Sequence, residues 1–487
     1  MGAEFADSAV SLLCDADRVC NRMTNQSAQP SDPNQTAQQS HRVQAVVITL
    51  ILALVVILPL ILSGNARGRG AADDWNYHWV AIQKFALEWP SPSLGDYDSA
   101  TTPGYHLALT PLVNIGLGHT GAQLIAMSWT LALLGLMCWV LSRQLGRSSI
   151  ALMVPMLASM YVLYPGIWLL PDNAAWLMVL GVILLALRST STWATLVLSS
   201  AIAALLVFTR QIHIWVAGVV WLSAWLGTTD TPPDRIRTLF SNVSARAGRT
   251  LISMACTVPA FLVLIWFYLT WNGLVPPMFQ GKHQGPNLAT PGFILLQLAI
   301  ISVFFAPILL PRLKALWTHH WQWVLASVGI GLVCAVVPES SYSVEAGRYS
   351  GWWNLIKIAP SVAERSSVYI LGVIAGSLAL PLWLSLAPRR DVWIWVGTLV
   401  AFVAAQSANH ASWQRYHEPM LLIMTLLILS RSTDIDRQRV RAMIGAIMMG
   451  LVYGSLTIMS MAKAQPFEPR EDLVSKFPQP PANIADS

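Results

Sequence analysis

The sequence predicts an all-α integral membrane protein: a polytopic bundle of about thirteen transmembrane helices, with membrane-parallel amphipathic helices in its first external loop. Three observations predict it. Hydrophobic residues make up 55% of the chain and charged residues only 11%, against about 25% charged in a soluble domain. The mean hydropathy is +0.53. The charges gather at the ends of apolar runs long enough to cross a bilayer.

Residues 1–43 are polar and rich in Gln, Ser, Asn and Pro, the composition of a disordered tail, here cytoplasmic. The tail is too long and mixed for the first region of a cleaved signal. The run "VQAVVITLILALVVILPLIL" follows and reads as an uncleaved anchor. Further uncharged runs place spans at 44–63, 119–142, 149–166, 174–188, 192–209, 212–229, 250–270, 291–310, 321–337, 367–387, 392–408, 419–430 and 442–461, so that 44–461 forms the membrane domain. Segment 419–430 is the shortest. Residues 462–487 are Pro-rich and read as a flexible external tail.

Orientation follows from charge. With the N-terminus inside, the inner segments hold 18 of the 30 basic residues and the far longer outer segments hold 12. Short basic turns such as "SRQLGR", "PRLK" and "DRQRVR" belong inside. Outside lie 14 of the 24 acids. The net charge of +6 does not mean nucleic acid, because the basic residues are scattered singly rather than clustered into a footprint. Arginine outnumbers lysine by 24 to 6, which suits a GC-rich genome and hence a bacterial cytoplasmic membrane. None of the five cysteines has metal-ligand spacing, and small buried apolar residues are the plainer reading.

The polar chemistry therefore faces out. The first external loop, 64–118, carries "DWNYHWVAIQKFALEW", with Trp75, Trp79, Ile82, Phe85, Ala86 and Trp89 spaced by three and four. That spacing lays one helix face on a surface. Just before it stand two adjacent acids, Asp73 and Asp74. They suit a helix start, where acids meet the dipole, and equally a general base at the outer interface. "DYDSATTPGYHL" contains Thr101 and Thr102 before Pro103, a helix-start signal or a tight polar turn. Arg210 and Gln211 interrupt apolar sequence in "LLVFTRQIHIW", where an arginine either snorkels or meets a phosphate. Three more outer stretches add Lys282 and His283; Glu345, Arg348, Tyr349, Trp352 and Trp353; and His410, Arg415, Tyr416 and His417. Each alone is an ordinary wet loop; together they make a face of cations, acids and indoles.

In this order the motifs resemble the multi-span glycosyltransferases of the GT-C fold. More narrowly they are similar to the eukaryotic family that transfers the terminal α-1,2-linked glucose from dolichyl-phosphate glucose onto lipid-linked oligosaccharide. The similarity runs over roughly residues 44–430, through Asp73-Asp74 with His78, "SATTPGYHL", "FTRQIHIW", "WNGLVPPMFQGKHQGPNLATPGFILLQL", "VEAGRYSGWW" and "WQRYHEPML". Asp74 stands where the family has Glu, and the Arg-Gln motif lacks the following Thr-Asn. The resemblance implies inverting transfer of a hexose, glucose favoured, from a polyprenyl-phosphate sugar to a lipid-linked or extracytoplasmic glycan acceptor, with no metal and no cofactor. It implies Asp73 or Asp74 as the base, with either register of the alignment open. Arg348 is the first choice to stabilise the leaving phosphate, with Arg210 and Lys282 as seconds. His78, Thr101, Thr102, Gln211, His283, Trp352, Arg415 and Tyr416 would bind substrate. Two alternatives use a similar scaffold: a lipid-oligosaccharide ligase or polymerase, and a polyprenyl-glycan transporter without chemistry.

Overall fold

A computed structural model describes residues 33–64, 67–188, 192–227, 239–240, 242–283, 285–339 and 341–467. The regular structure of the described chain is helical apart from one two-residue antiparallel pairing, Ser361–Val362 with Arg365–Ser366, and two isolated bridges, Arg67 with Pro466 and Ser343 with Arg348. It is a polytopic helical membrane protein. Six helical runs are long and apolar enough to cross a membrane: Gln38–Leu62, His119–Ala158, Val243–Trp271, Ala306–Val336, Ser367–Leu384 and Ile435–Ala462. A seventh span is formed if Met160–Ile167 and Asp172–Ala186, bent by 120°, count as one.

That is fewer than the thirteen read from the sequence, and the difference has identifiable causes. Trp193–Thr209, Gln211–Leu226 and Thr290–Phe304 are apolar but shorter than the roughly twenty residues a bilayer needs. The expected span 149–166 is cut at Ser159, whose extended backbone ends one helix while its hydroxyl caps the next by accepting from the Tyr161 N–H at 3.2 Å. Segment 419–430 lies in Glu418–Arg431, in which every residue from Glu418 to Ser430 is buried. A helix apolar all round and covered by protein is a core helix, and it needs no bilayer length. The run His119–Ala158 is not a straight rod either. Cys138 Sγ lies 3.7 Å from Ser149 Oγ, whereas eleven residues of straight helix span about 16 Å. The chain folds back at Gly146, in the "SRQLGR" turn, where φ is +54°.

Residues 33–43, expected in the tail, are the first turns of helix Pro33–Leu62. Gln and Ala favour helix there, and Gln38 and Arg42 reach the Arg143 carbonyl, each at 3.4 Å. The tail segments 1–32 and 468–487 lie outside the described residues. The turns around Leu187, Arg312, Asp391 and Arg431 meet at one end of the bundle. There Arg431 donates to Asp391 at 2.5 Å and to the Leu187 carbonyl at 3.0 Å. Arg312 pairs with Asp434 and donates to the Ser385 carbonyl at 3.0 Å. Both flanks of the bundle close at the other end. The Gly68 N–H donates to the Gln465 carbonyl at 3.0 Å, joining the chain after the first span to the chain after the last.

Helices Thr290–Phe304 and Ser367–Leu384 cross at glycines. A Cβ on Gly376 would stand 1.8 Å from the Leu295 carbonyl oxygen, and one on Gly292 would stand 2.1 Å from the Tyr369 hydroxyl. Small residues let membrane helices approach this closely. Gly376→Ala is expected to push the pair apart at a cost of about 1–3 kcal/mol, the usual range for overpacking. A lowered unfolding temperature in detergent, with Gly329→Ala as the comparison on an exposed helix face where a Cβ meets nothing within 4 Å, is the check.

The aromatic face expected on the membrane surface is covered by protein instead. Trp79, Ile82 and Phe85 are buried, and Trp79 and Ile82 pack with Tyr105 and Leu109 of helix Gly104–Asn114. Trp75 and Ala86 are partly exposed, and Trp89, at 49% exposure, faces outward.

Candidate functional site

The chain after the first span runs as a short helix Gly68–Asp73, a wide π-type turn over Asp74–His78, and helix Trp79–Leu87. A π-type turn of this kind adds a residue to the helical circuit and often marks a functional segment. Here it accompanies a parting of the two acids. Asp73 Oδ2 accepts from Arg415 Nη1 at 2.7 Å, and both side chains stay partly exposed. Asp74 is fully buried on another side, accepting from His119 Nε2 at 3.0 and 3.1 Å and from Gln123 Nε2 at 3.3 Å.

Arg415 leads from Asp73 into a compact charged cluster. Its guanidinium lies 4.6 Å from the Trp413 ring centroid and 5.1 Å from that of Tyr416, and it donates to the Tyr416 hydroxyl at 3.2 Å. Arg210 lies 5.0 Å from the same Tyr416 ring and is ion-paired with Asp172. Both members of that pair sit where helices break. Asp172 follows the 120° bend at Leu170-Pro171, and Arg210 is the extended residue between Trp193–Thr209 and the short helix Gln211–Trp215. Broken backbone at membrane depth is tolerated where it is buried in protein or lines a cavity.

It lines one here. A cleft of about 160 Å³ is walled by Thr101, Arg210, Gln211, His283, Asn409 and Tyr416 at its polar side. Its apolar walls come from Ile212, Ile214, Leu264, Leu274 and Val275. Gln211 holds the cleft's edges together. It accepts from the Thr102 N–H at 3.0 Å and donates to the carbonyls of Ala100 and Leu274, each at 2.9 Å. His283 is held down to about 4 by burial, reinforced by Arg415, so it is neutral at pH 7 and offers a hydrogen bond rather than a charge.

Of the residues singled out from the sequence, Asp73, Arg210, Gln211, Thr101, His283, Arg415 and Tyr416 come together around this cleft or the charged cluster beside it. Others do not. Arg348, the first choice for a phosphate, is buried apart from the cleft, where Glu339 and Tyr369 are its charged and titratable neighbours. Lys282 is exposed and does not line the cleft. Trp352 does not line the cleft: its side chain packs against the apolar core, and its backbone N–H donates to Gln414 Oε1 at 2.9 Å. Thr102 is fully buried, and its hydroxyl is spent on the Val207 carbonyl at 2.7 Å. His78 is buried too, its Nδ1 2.9 Å from Nε2 of His106. Sequence reasoning passed over Asp172, His106, His119 and Gln123. Asp172 had a readable signal, an acid bounded by apolar runs; the others acquire meaning only through partners far along the chain. Among the described residues no three His, Cys, Asp or Glu side chains are grouped to hold a metal ion.

The histidine pair carries a pH prediction. Burial lowers His78 to about 4 and His106 well below its usual value, although Asp73 and Asp74 pull His78 the other way. Both rings are therefore neutral in the folded protein at pH 7. Below about 6.5 the unfolded chain takes up protons that the folded pair refuses. Stability is expected to be level above that point and to fall as the pH drops toward about 4. Thermal unfolding across that window should slope less steeply in His78→Gln/His106→Leu than in the wild type.

Comparison with protein-family models, with curated proteins and with solved structures finds no match to this chain, so its helices alone place it, as a polytopic membrane protein.

Proposed function

We propose that the protein is a GT-C type glycosyltransferase that moves a hexose, glucose favoured, from a polyprenyl-phosphate sugar to a lipid-linked or extracytoplasmic glycan acceptor, with inversion. The reading includes a bacterial cytoplasmic membrane, the basic end of the bundle facing the cytoplasm, and the apolar helices too short to cross alone serving as further membrane segments. The observation that carries it is the joining of a partly exposed carboxylate to an apolar cleft through two arginines: Asp73 to Arg415, Arg415 and Arg210 to one Tyr416 ring, and Arg210 to the cleft.

The chemistry follows from those parts. A lipid-phosphate donor has an apolar tail and a charged head. The tail suits Ile212, Ile214, Leu264 and Val275; the head suits Arg210 and His283. The acceptor hydroxyl attacks the anomeric carbon from the face opposite the phosphate. The new C–O bond forms as the bond to phosphate oxygen breaks, and the hydroxyl proton passes to Asp73. Polyprenyl phosphate leaves with the bonding pair, its charge met by Arg210 and Arg415. Fixed charges aimed at a developing anion commonly lower the barrier more than any other single effect. Arg348 and Lys282, being away from the cleft, drop out of this role.

The test uses the protein in nanodiscs with radiolabelled polyprenyl-phosphate glucose, mannose or arabinose and a lipid extract of the host. Label appearing in a new lipid or glycan supports the transferase. Saturable donor binding without turnover for every donor sinks it and favours a transporter, whose broken helices the 120° bend beside Asp172 would also suit.

A further inference from the structure

A second cavity, of about 340 Å³, lies at the end of the first span, lined by Leu60, Ile61, Gly64, Trp75, Gly118, His119, Thr120, Gly121 and Gln123. Its volume falls at the lower end of small-molecule sites, roughly 300–1,000 Å³. It belongs to the Asp74 side of the π-type turn and shares no lining residue with the cleft on the Arg210 side.

Its polar groups are unusually well fixed. Asp74, fully buried behind the wall, holds His119 by Nε2 and Gln123 by Nε2. A carboxylate at those atoms orients both side chains, since a carboxylate accepts and never donates. His119 is further clamped by Trp75, stacked at 4.1 Å, and by the edge of Trp79 at 5.0 Å. What remains is the other end of each group. His119 Nδ1 and Gln123 Oε1 have no hydrogen-bond partner among the described residues, and neither is sealed away from solvent. Gln123 is nevertheless only 7% exposed. The backbone adds donors. The N–H groups of His119, Thr120 and Gly121 precede the first bond of their helix, Ala122 N–H to the Gly118 carbonyl, and Gly118 supplies no side-chain cap.

Charge narrows the ligand. Among the described residues no Lys, Arg, Asp or Glu lines the cavity. An anion would face the Asp74 carboxylate immediately behind His119, and a cation would face the positive end of a 27-residue helix. A neutral molecule carrying both hydroxyl donors and acceptors fits a wall offering one carboxamide oxygen, one imidazole nitrogen and backbone N–H groups. Leu60, Ile61 and the Trp75 indole supply the apolar surface that a pyranose ring face covers. We propose that this cavity binds a neutral sugar ring at the outer surface of the bilayer. The ring can belong to a free glycan or to the headgroup of a membrane glycolipid, and the site is independent of the transfer reaction proposed above.

The test measures binding in the absence of any donor, with the full chain in phosphatidylglycerol nanodiscs. The probes are tritiated methyl α-glucoside, which is soluble, and tritiated octyl glucoside, which the bilayer presents. Saturable binding is expected, weakened at least tenfold by Thr120→Trp and by His119→Gln, and not competed by glycerol phosphate. Thr120 is exposed, so its indole fills the cavity without disturbing Asp74, and the variant's unfolding temperature should match wild type. Binding of both glycosides means that the ring alone is recognised; binding of octyl glucoside alone means a lipid-borne headgroup; both support the site. No saturable binding of either, or binding undiminished in Thr120→Trp, overturns it. Neither result depends on turnover, so the site and the transferase reading stand or fall separately.

Discussion

Asp73→Asn is expected to abolish sugar transfer while the protein stays folded, and Asp74→Asn is expected to do nearly the reverse. The two acids are neighbours in sequence with different surroundings. Asp73 is partly open and holds a partner that is itself partly open, Arg415. Asn at this position keeps the shape but cannot take a proton from an attacking hydroxyl. A positioned general base contributes on the order of 10²–10⁴-fold, and the initial rate should fall by about that much with little change in unfolding temperature. Asp74 is sealed in, accepting three contacts from His119 and Gln123. Its amide analogue loses the charge-assisted acceptance from both donors and forces His119 into the tautomer whose Nε2 accepts, a cost of about 1–3 kcal/mol. Asp74→Asn should therefore unfold at a lower temperature and retain much of its turnover per folded molecule. The measurement is radiolabel transfer normalised to monodisperse protein, beside a melting curve. Transfer lost in Asp74→Asn and kept in Asp73→Asn would move the base to Asp74.

The difference between those two acids shows where sequence reading stops. An uncharged run of about twenty residues announces a span because hydrocarbon excludes charge, and the long spans were legible for that reason. Arg210 and Gln211 are legible because polar groups inside an apolar stretch need a reason to be there, and Thr101 because Thr before Pro signals a helix start. Direction was not legible. Arg348 and Arg210 are equally basic on paper, yet one is buried apart from the cleft and the other lines it. The spacing of Trp79, Ile82 and Phe85 revealed a covered face but not the cover, which is Tyr105 and Leu109 over Trp79 and Ile82, and Tyr97 and Trp271 over Phe85, rather than lipid. The break at Ser159 depends on Glu418, 259 residues away, which accepts the Ser159 hydroxyl at 2.5 Å. The parting of Asp73 from Asp74 likewise depends on Arg415 in one direction and His119 in the other. Periodicity carries local geometry; these pairings are long-range, and a single sequence leaves them open.

Removing Asp172 should do more damage to the fold than any other single change at the site. Arg210 is 8% exposed and Asp172 is 7% exposed, and the two are ion-paired at adjoining helix breaks. Breaking a buried pair by deleting one member typically costs about 3–5 kcal/mol, because the remaining charge is left uncompensated. Asp172→Ala leaves the Arg210 guanidinium in that state, with the Arg415 cation nearby adding repulsion. The expected result is a large fall in unfolding temperature and in monodisperse yield, with transfer lost as well. Arg210→Met tests the other half, leaving a buried carboxylate. The double variant Asp172→Leu/Arg210→Met removes both charges together, and its stability should recover toward wild type, since replacing a buried pair by apolar groups is often neutral or better. Transfer should not recover with it, because the proposed role of Arg210 is to meet the leaving phosphate. That separation of stability from turnover is the discriminating feature. If Asp172→Ala melts with wild type, the pair is not the structural hinge of the two breaks. If the double variant regains transfer, Arg210 serves only to satisfy Asp172, and the phosphate must be met elsewhere in the cluster, with Arg415 the remaining arginine.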